Sequence, residues 1–524
     1  MPSETGPESP GLNDGAAETV PPTAAMVGAS VWRLPTRTPY SAPVSHPAPR
    51  VLIVGFHTPL NQAAVLGALD ESAAQGAAPE FVALVSRSNF LGDRADVYID
   101  SSDGYRTRGF TESKDWPFPS RQLWTDLRPA ESTAYRMMDR VHRVSRAGRG
   151  IDSRKRRWLE WVAFAHGFLR HHRIDRVVQC NVPHFPFEFV LHETARAMGI
   201  ETRFLMQLQV KDTYLTSRSI EELYDPLNRA IEGMGDAAVT LEPRMETELA
   251  RRTTRHQPFY MHSKGVPLWT RFYTFQRRFL RGRFRSIPAA RAYRAARRAR
   301  GTVPSPETPY VYLPLHLQPE ATTLPLGGVH VDQLLAVESL IRTLPDGWLV
   351  VVKENPKQRF EKRDASFYRR LAQIDRVRLV GRDVNSFDLM QGSRAVATIT
   401  GSAGWEALCS GKPTLTFGNA FYRNAPGSVA VEGLDSLRNA LDAIDSGAFE
   451  APTVEGCSRF LAALQSVTHT GVSDALYLRD SEYDLEAAAR SCTGAVAEAM
   501  GLAGTYADGP TTERSVEAAE EART

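Results

Sequence analysis

The stretch ITGSAGWEALCSGKPTLTFG, residues 399–418, decides the fold of the second half of this chain. An apolar strand ends there in a loop of small residues, and a short helix and a second buried strand (414–417) follow. The loop consists of Thr400, Gly401, Ser402, Ala403 and Gly404. Small residues let a ligand approach bare backbone N–H groups, and a helix N-terminus adds partial positive charge, so the natural ligand is a phosphate. The alternative is a tight strand-to-helix turn that binds nothing.

Strands and helices alternate strictly around this stretch. The predicted strands are nearly all apolar, which is typical of a parallel sheet covered on both faces. They span residues 310–315, 348–353, 377–380, 395–400 and 413–417, with helices over 331–344, 364–374, 386–390 and 404–409.

The first half also alternates strands and helices, but their spacing is less regular. Its predicted strands span 50–56, 81–85, 96–99, 175–180, 203–208 and 237–241, with helices over 154–171 and 187–198 and a long insertion near 100–150. We therefore expect an α/β protein with two Rossmann-like domains facing a cleft. This GT-B-like layout is shared by GT-B glycosyltransferases and sugar-nucleotide 2-epimerases.

Composition shifts set the expected domain boundaries. Both ends of the chain are polar and poor in aliphatic residues, which predicts disorder. The expected segments are a tail (1–48), a Rossmann-like acceptor domain (49–265), a connector (266–305), a Rossmann-like nucleotide-sugar domain (306–435), C-terminal helices (436–502) and a disordered acidic tail (503–524).

Charge and composition exclude several functions. Of the 524 residues, 42% are hydrophobic and 23% are charged, as in ordinary globular proteins, and the net charge of +3 argues against a nucleic-acid partner. The four cysteines form no CxxC pair, so a zinc knuckle is excluded and reduced thiols are expected. Neither an 18-residue apolar run nor a secretory signal occurs. We expect a cytoplasmic protein with no cofactor.

The connector between the halves is rich in arginine. Residues 271–301 hold eleven arginines and no lysine, interleaved with aromatic residues. Such a segment fits peripheral contact with an anionic membrane or an acidic polymer. The alternative is a solvated pair of short helices, interrupted near Gly282 and Pro288, whose arginines lie over apolar surface.

Three polar loops follow strands of the second half. The first contains His316, Gln318 and Glu320, the second contains Lys353 and Asn355, and the third is the 400–404 loop. Because parallel strands end at one edge of a sheet, we expect these loops to line the ligand crevice, where a lysine supplies a point charge for phosphate.

The motifs then resemble a known family. YVYLPLHLQPEATTLPLGG, DQLLAV, VVKENP, RDASFYRRL and ITGSAGWEALCSGKPTLTFGNAFYR follow, over residues 309–430, the order seen in bacterial capsule polysaccharide biosynthesis and export proteins, which include β-Kdo transferases. The resemblance implies a GT-B fold and a nucleotide-sugar donor, CMP-linked by family precedent, with a glycan or glycolipid acceptor. One departure stands out: the family usually has Lys-Glu-His-Pro where this chain has an asparagine, Asn355. Asparagine can donate a hydrogen bond but carries no charge.

Charge logic suggests a role for each candidate on the donor side. The leaving phosphate must be stabilised, and we expect Lys353 and the N–H groups of the 402–404 segment to do this without a metal. Glu406 is expected to hold ribose or base, or else to pair with the helix dipole. The Ser402 hydroxyl either binds the phosphate or caps the helix.

The catalytic candidates are carboxylates and one histidine. His184 and Glu188, in the only stretch of the first half that resembles the family, are expected on the acceptor side as base or nucleophile. Glu320 is expected to contact the donor sugar or to brace its loop. Tyr422 and Arg423 are expected to close the donor pocket.

These residues are compatible with three functions. The leading prediction is a glycosyltransferase for a surface or secreted glycan. The second is a sugar-nucleotide epimerase or a CDP-polyol phosphotransferase, which differs in its products. The third is a non-catalytic glycan-binding or export-assembly protein, and Asn355 and the arginine-rich connector favour it.

Overall fold

The computed structural model describes residues 48–101, 116–140, 150–234, 239–253, 283–318, 320 and 323–502. The strands of these residues form one sheet of seven strands and one of six. In chain order they are β1 (Arg50–Val54), β2 (Phe81–Ser86), β3 (Val97–Asp100), β4 (Arg176–Gln179), β5 (Glu201–Gln207), β6 (Thr213–Ser217), β7 (Tyr310–Pro314), β8 (Leu349–Lys353), β9 (Val377–Val380), β10 (Ala395–Thr398), β11 (Thr414–Thr416), β12 (Ser428–Ala430) and β13 (His469–Thr470).

Helices connect the strands and cover both sheets. In the described residues they are α1 (Pro59–Ala74), α2 (Arg121–Asp126), α3 (Arg128–Met137), α4 (Ile151–His171), α5 (Pro186–Ala197), α6 (Asp225–Gly233), α7 (Pro243–Thr253), α8 (Arg283–Arg300), α9 (Gln333–Thr343), α10 (Ala365–Gln373), α11 (Ser386–Gly392), α12 (Ser402–Cys409), α13 (Leu434–Ser446), α14 (Val454–Ser466) and α15 (Leu485–Met500). Across the described ranges no helix is both long and apolar enough to cross a bilayer.

Both sheets share one strand order. The first runs β13-β6-β5-β4-β1-β2-β3 and the second β12-β11-β10-β7-β8-β9. In each, the chain starts at a central strand, winds to one side, and then returns to wind to the other. The order reverses between β1 and β4 in the first sheet and between β7 and β10 in the second. Ligands of open α/β sheets bind at such switch points, beyond the carboxyl ends of the strands.

The second sheet is parallel throughout, as its apolar strands predict. Alternate side chains of β7 enter two different cores: Val311 and Leu313 pack in one cluster, and Tyr310 and Tyr312 in the other. A strand covered on both faces must be apolar at every position, which is why its sequence shows no alternation. The expected α/β fold with two Rossmann-like sheets is confirmed.

The end of the described chain returns to the first sheet. After α13, helix α14 packs on α6 and α7, β13 pairs antiparallel with β6, and α15 packs along α1. The Tyr214 hydroxyl on β6 donates to the Ser491 carbonyl on α15 at 2.7 Å. The C-terminal helices therefore complete the core of the first domain as well as following the second.

Three local predictions were wrong. Residues 239–241 are not a strand, and 237–238 lie outside the described residues. The strand β6 was not predicted, and it runs antiparallel to β5. Helix α8 continues through Pro288 instead of breaking there. The remainder of the arginine-rich segment, 271–282, lies outside the described residues.

Candidate functional site

A histidine joins the two strand ends at the switch point of the second sheet. His316 follows β7, and its Nε2 accepts the backbone N–H of Ile399 at 3.2 Å while lying 3.1 Å from the Thr398 hydroxyl. Thr398 ends β10, the neighbouring strand, and Ile399 follows it. The Thr398 hydroxyl oxygen also accepts the Gly401 N–H at 3.1 Å. His316 thus fastens the start of the 400–404 loop to the adjacent strand.

This histidine is neutral. Its Nε2 accepts a backbone N–H, so that nitrogen carries no proton, and burial together with the Arg363 guanidinium lowers its pKa to about 4. The Gln333 side-chain oxygen accepts the His316 N–H at 2.9 Å, and Arg363 donates to the His316 carbonyl at 2.8 Å. A residue held at both backbone groups and at its ring braces a loop. We assign His316 this supporting position under the predicted phosphate loop.

Tyr422 supports the same loop from inside the protein. It is fully buried, and its hydroxyl donates to the Gly401 carbonyl. A Cβ placed on Gly404 would lie 2.5 Å from the Tyr422 ring, so only glycine fits there. The expectation that Tyr422 closes the donor pocket was wrong, because the ring lies beneath the loop.

The start of α12 differs in detail from the sequence prediction. The helix begins at Ser402 with Gly401 as its N-cap, so Ser402 is not the cap and Glu406 lies in the second turn. The Gly404 N–H donates to the Gly401 carbonyl at 3.1 Å, which removes it from the predicted phosphate donors. The first N–H groups of a helix have no acceptor within the helix. A contact of the Ser402 and Ala403 N–H groups with a phosphate stays a prediction, as does the expected role of Thr400 and Gly401.

Lys353 ends β8 with its side chain turned toward the neighbouring helix. The side chain is 7% exposed, and its Nζ donates to the Ser386 hydroxyl at the start of α11 at 2.7 Å. Burial lowers the pKa of Lys353, and the Asp383 carboxylate opposes that shift. The amine is a partly desolvated cation beside the carboxyl end of the sheet, where attraction to a phosphate is stronger than in bulk water.

A buried ionic network fixes the loop after Lys353. The Glu354 carboxylate is fully buried, lies 3.0 Å from the Arg363 guanidinium and accepts the Tyr368 hydroxyl at 2.5 Å. Arg363 also holds the His316 carbonyl, so the loops after β7 and β8 share one cation. Sequence reasoning passed over Glu354, although the buried strand before it was the available signal.

The remaining donor-side candidates mostly shape the loops. The Gln318 amide donates to the Val331 carbonyl, and its backbone pairs with Gln358. The Asn355 side-chain oxygen accepts the Lys357 N–H at 2.9 Å and turns the loop there. The Glu320 carbonyl accepts the Leu324 N–H at 3.0 Å. A contact of these three side chains with a donor stays a prediction.

Arg252 joins the two halves at the site. Its guanidinium donates to the Glu406 carboxylate at 3.1 Å and to the Gln209 carbonyl at 2.7 Å. Gln209 lies just past the carboxyl end of β5, so this edge of the first sheet meets the second turn of α12. The buried Glu248 carboxylate accepts from Arg252 at 2.5 Å and from the Trp405 indole at 3.3 Å. Glu406 is therefore engaged in a contact between domains.

The first sheet's switch point contains the predicted Glu188. This carboxylate is buried, and its Oε2 accepts the N–H groups of His184 and Phe185, each at 3.2 Å. Its Oε1 lies 3.8 Å from Nε2 of His57, which follows β1. Sequence reasoning missed His57, although it follows a buried strand just as His316 does.

The fold and site define an α/β protein with two Rossmann-like sheets and a helix N-terminus at the second switch point. Residues 249–452 match the model of the family described as capsule polysaccharide biosynthesis protein. This match confirms the resemblance found in the motifs of residues 309–430. No protein in the curated set matches the chain.

Several solved structures are similar to the chain. The β-Kdo 2,7 transferase of KpsC from Thermosulfurimonas dismutans is 11% identical, with 63% of this chain and 88% of that chain covered and a TM-score of 0.29. S. aureus MnaA, solved with UDP, is 11% identical, with 80% and 94% covered and a TM-score of 0.26. The lipopolysaccharide outer core galactosyltransferase WaaB is 12% identical, with 82% and 97% covered and a TM-score of 0.26.

Proposed function

We propose that this protein is a glycosyltransferase that uses a nucleotide-activated sugar to build a capsule-like surface glycan. The observation that carries the proposal is the construction of the second switch point. There, within the segment that matches the capsule family, a neutral His316 and a buried Tyr422 hold a small-residue loop against the start of α12. These two side chains brace the loop, and its helix N-terminus favours an anion, as a donor phosphate requires.

Several residues stabilise the nucleotide phosphate as it leaves the sugar. As the bond between the anomeric carbon and the phosphate breaks, negative charge grows on the phosphate oxygens. The N–H groups of Ser402 and Ala403 and the Lys353 amine stabilise that charge. The Ser402 hydroxyl supplies one further donor. Because these groups are held before the donor arrives, little reorganisation is needed in the transition state.

The donor class follows from the family resemblance. We propose a CMP-linked ulosonic acid, in which the phosphate joins the anomeric carbon directly. We propose that Glu320, in the loop that follows β7, contacts the donor sugar. The Asn355 side-chain oxygen accepts the Lys357 N–H, and the residue offers an amide where the family has a histidine.

A nucleotide panel tests the proposal. Thermal unfolding of the full chain is measured with CMP, CDP, UDP and GDP, because a ligand that binds only the folded state raises the melting temperature by mass action. We expect the largest shift with CMP. Release of CMP from a CMP-ulosonate is then measured with and without a glycolipid acceptor. Release that depends on the acceptor supports transfer.

The alternative functions give different results in the same assays. Conversion of the donor sugar without an acceptor identifies an epimerase. Binding of glycan without a shift from any nucleotide identifies a non-catalytic protein and refutes the proposal. A UDP-specific shift with acceptor-dependent release keeps the transferase and refutes the CMP donor.

We also propose a peripheral membrane contact through α8. One side of this helix packs in the second core through Ala289, Tyr293 and Ala296. The other side exposes arginines and no acidic residue; these are Arg291, Arg294, Arg297 and Arg298. Each basic residue near an anionic surface contributes about 1 kcal/mol.

Vesicle sedimentation tests this contact. We expect the protein to bind vesicles of phosphatidylserine and phosphatidylcholine but not pure phosphatidylcholine. The triple variant Arg291→Gln, Arg294→Gln and Arg298→Gln should lose that binding while its CMP affinity stays unchanged. Arg297 is left intact because it lies 3.5 Å from Asp383. Equal binding of both vesicle types would refute an electrostatic contact.

A further inference from the structure

The carboxyl edge of the first sheet holds two polar side chains that the donor site does not use. His57 follows β1, and Glu188 lies in the first turn of α5, the helix after β4, so the two residues span the first switch point. Their Nε2 and Oε1 atoms are 3.8 Å apart, and their side chains are 15% and 8% exposed. A ligand of this sheet is expected at such a switch point.

The Glu188 carboxylate lies where the start of a helix would otherwise attract an anion. Its Oε2 accepts the backbone N–H groups of His184 and Phe185, each at 3.2 Å, at the start of α5. Such N–H groups, together with the helix dipole, are a common binding site for phosphate. Here a side chain of the same helix supplies the negative charge, as in a capping box. A phosphate at this position would therefore meet a carboxylate of the protein.

The contacts of His57 fix the position of its ring proton. The backbone N–H of Arg87 approaches Nδ1 at 3.4 Å, and an N–H group can only donate. The Ser86 hydroxyl lies 3.2 Å from the same nitrogen and 3.2 Å from the Phe56 carbonyl, and it can donate to either. Nδ1 is therefore the acceptor of the neutral ring, and Nε2 carries the proton that faces Glu188.

The spacing of the two side chains suits a hydroxyl group. An N–H···O hydrogen bond is about 2.7–3.2 Å long, so the 3.8 Å between Nε2 and Oε1 is too long for a direct bond. A hydroxyl between them can accept the Nε2 proton and donate its own hydrogen to Oε1. A carboxylate or phosphate oxygen can only accept, so it would face the Glu188 charge with no bond to it. An ammonium group can only donate, so it would oppose the His57 N–H.

We propose that His57 and Glu188 bind a hydroxyl of the acceptor and select an acceptor that is uncharged at this position. This assignment rests on the proposed transfer reaction and names the acceptor class. The class is a neutral sugar of a glycan or glycolipid, without a carboxylate or phosphate beside the bound hydroxyl. The same arrangement excludes a nucleotide phosphate from the first switch point, so we expect one nucleotide per chain.

Arg252 brings this pair toward the donor site. It links the second turn of α12 to the carbonyl just past β5, and β5 is the neighbour of β4 in the first sheet. The carboxyl edge that holds Glu188 is therefore the edge that approaches the donor helix. This placement fits an acceptor sugar that must meet the donor sugar.

Neighbouring groups do not neutralise the Glu188 charge. Burial, Glu188 and Asp474 raise the pKa of the Cys180 thiol, so the thiol stays neutral beside these two carboxylates. The Arg87 guanidinium lies over the Phe185 ring, 5.8 Å from its centroid. In the described part of the chain, that guanidinium forms no ion pair with Glu188. The first switch point is therefore unfavourable for a second anion.

Glycoside binding to the full chain tests the inference. Octyl β-glucoside and octyl β-glucuronide differ in that a carboxylate replaces the primary alcohol of the sugar. In calorimetric titrations below their micellar concentrations, we expect the glucoside to bind at least about tenfold more tightly, because like charges in a binding site repel. Equal or tighter binding of the glucuronide overturns the inference, and so does failure of the glucoside to bind.

Two variants separate the parts of the pair. Glu188→Gln keeps an oxygen for the two N–H groups and removes the charge, so the preference for the glucoside should fall to within about threefold. His57→Phe keeps a ring without nitrogens, so glucoside binding should weaken by about threefold to tenfold while the preference remains. Glu160→Gln removes an exposed carboxylate of α4 and is the matched control, with the wild-type preference expected. Melting temperatures show that each variant is folded. An unchanged preference in folded Glu188→Gln overturns the inference.

Nucleotide stoichiometry separates this inference from the proposed function. Titration with CMP should give one site per chain, and Ser402→Asp should abolish it. A second CMP site that survives in Ser402→Asp would place a phosphate at the first switch point and overturn the inference. If the wild type binds no CMP but keeps its preference for the glucoside, the proposed function fails and the selection of a neutral sugar stands.

Discussion

The two sheets have the same strand order but carry different chemistry where that order reverses. At the second switch point, between β7 and β10, a histidine is locked as a neutral acceptor beneath backbone N–H groups and a nearby lysine. At the first, between β1 and β4, the imidazole of His57 faces the Glu188 carboxylate. The arrangement at the second switch point suits a bound anion, whereas the first switch point already places a carboxylate of the protein there. Strand order fixes where a site lies, whereas side-chain partners decide what it does.

His316 and His57 show how side-chain partners give two histidines in equivalent positions different environments. Both follow the first strand of their sheet. His316 is buried and its Nε2 accepts a backbone N–H, so protonation would break the bond that holds the loop. His57 is bonded through Nδ1, which leaves Nε2 toward Glu188. The two histidines therefore accept a backbone N–H at different ring nitrogens, Nε2 in His316 and Nδ1 in His57.

The largest expected effect is at the donor loop. Ser402→Asp places a fixed negative charge where the phosphate must bind, and an acidic residue at a helix N-terminus does not destabilise the helix. We expect a loss of CMP affinity of more than about a hundredfold, equivalent to ~3 kcal/mol, with little change in melting temperature. Isothermal titration calorimetry measures it.

Ser402→Asn is the matched control for that change. Asparagine has the shape of aspartate without its charge, so it should retain most of the affinity. Equal binding by both variants and the wild type would place the phosphate elsewhere. The assignment of an anion site to the second switch point would then fail.

The next largest expected effect is a loss of folding stability at acid pH. The pKa of His316 falls from 6.5 to about 4 on folding, so between those values the unfolded chain binds more protons than the folded one. Stability is therefore fully present above pH 6.5 and is lost as the pH falls toward about 4, by up to ~3 kcal/mol. Urea unfolding across this range measures the loss, and His316→Gln should remove that share.

A second buried histidine provides the control. His469 on β13 stacks on Tyr214, and burial lowers its pKa to about 4 as well. His469→Gln should remove a comparable share of the pH dependence of stability. Only His316→Gln should also flatten the pH dependence of CMP binding. If both variants flatten it, acid weakens binding through global unfolding and not through the donor loop.

The third effect is at Lys353. Charge-assisted hydrogen bonds to phosphate contribute about 1.5–3 kcal/mol, so Lys353→Ala should weaken CMP binding by about tenfold to a hundredfold. Cytidine, which has no phosphate, should bind almost equally to both proteins. Calorimetry with the two ligands measures the difference. Equal weakening of both would mean that Lys353 supports its loop through Ser386 and does not touch the donor.

The sequence was sufficient to predict most strands and the position of the 400–404 loop between a strand and a helix. The second half could be divided correctly because strands covered on both faces are continuous apolar runs, and polar residues mark their ends. The 400–404 loop was found by the same rule. His57 follows a buried strand in the same way, but it lies outside the motif that marks His184 and Glu188.

Other features depend on contacts between distant parts of the chain. The strand β13 has two residues and gains its partner only through tertiary structure. Arg252 and Glu406 are 154 positions apart, and no local pattern pairs them. Helix α8 tolerates Pro288 because Ala289 and Tyr293 anchor it in the second core. Local propensity is a weak guide when packing opposes it.

A smaller effect is expected for the ion pair that links the two domains near the switch points. Arg252 and Glu406 are 11% and 25% exposed, so their direct coupling should be about 0.5–1 kcal/mol. A double-mutant cycle with Arg252→Gln and Glu406→Gln measures it, because Arg252 alone also leaves Glu248 without its ion pair. We expect the coupling in both unfolding free energy and transfer rate. Coupling in stability alone would show that Arg252 joins the domains without organising the reaction.

The smallest expected effect is at Asn355, where the chain departs from the family pattern. Its side-chain oxygen holds the turn through the Lys357 N–H, and the residue is only half-buried. In Asn355→His the ring is charged below about pH 6.5, and a partly exposed ion pair contributes about 0.2–1 kcal/mol. CMP binding should therefore tighten by no more than about fivefold at about pH 5.5, and should be unchanged near pH 8. Asn355→Ala is the control, because it removes the same contact with the Lys357 N–H without adding a ring. Weaker binding at both pH values in Asn355→His but not in Asn355→Ala would show that the ring clashes with the native donor. In that case this pocket selects a donor that differs from the family's.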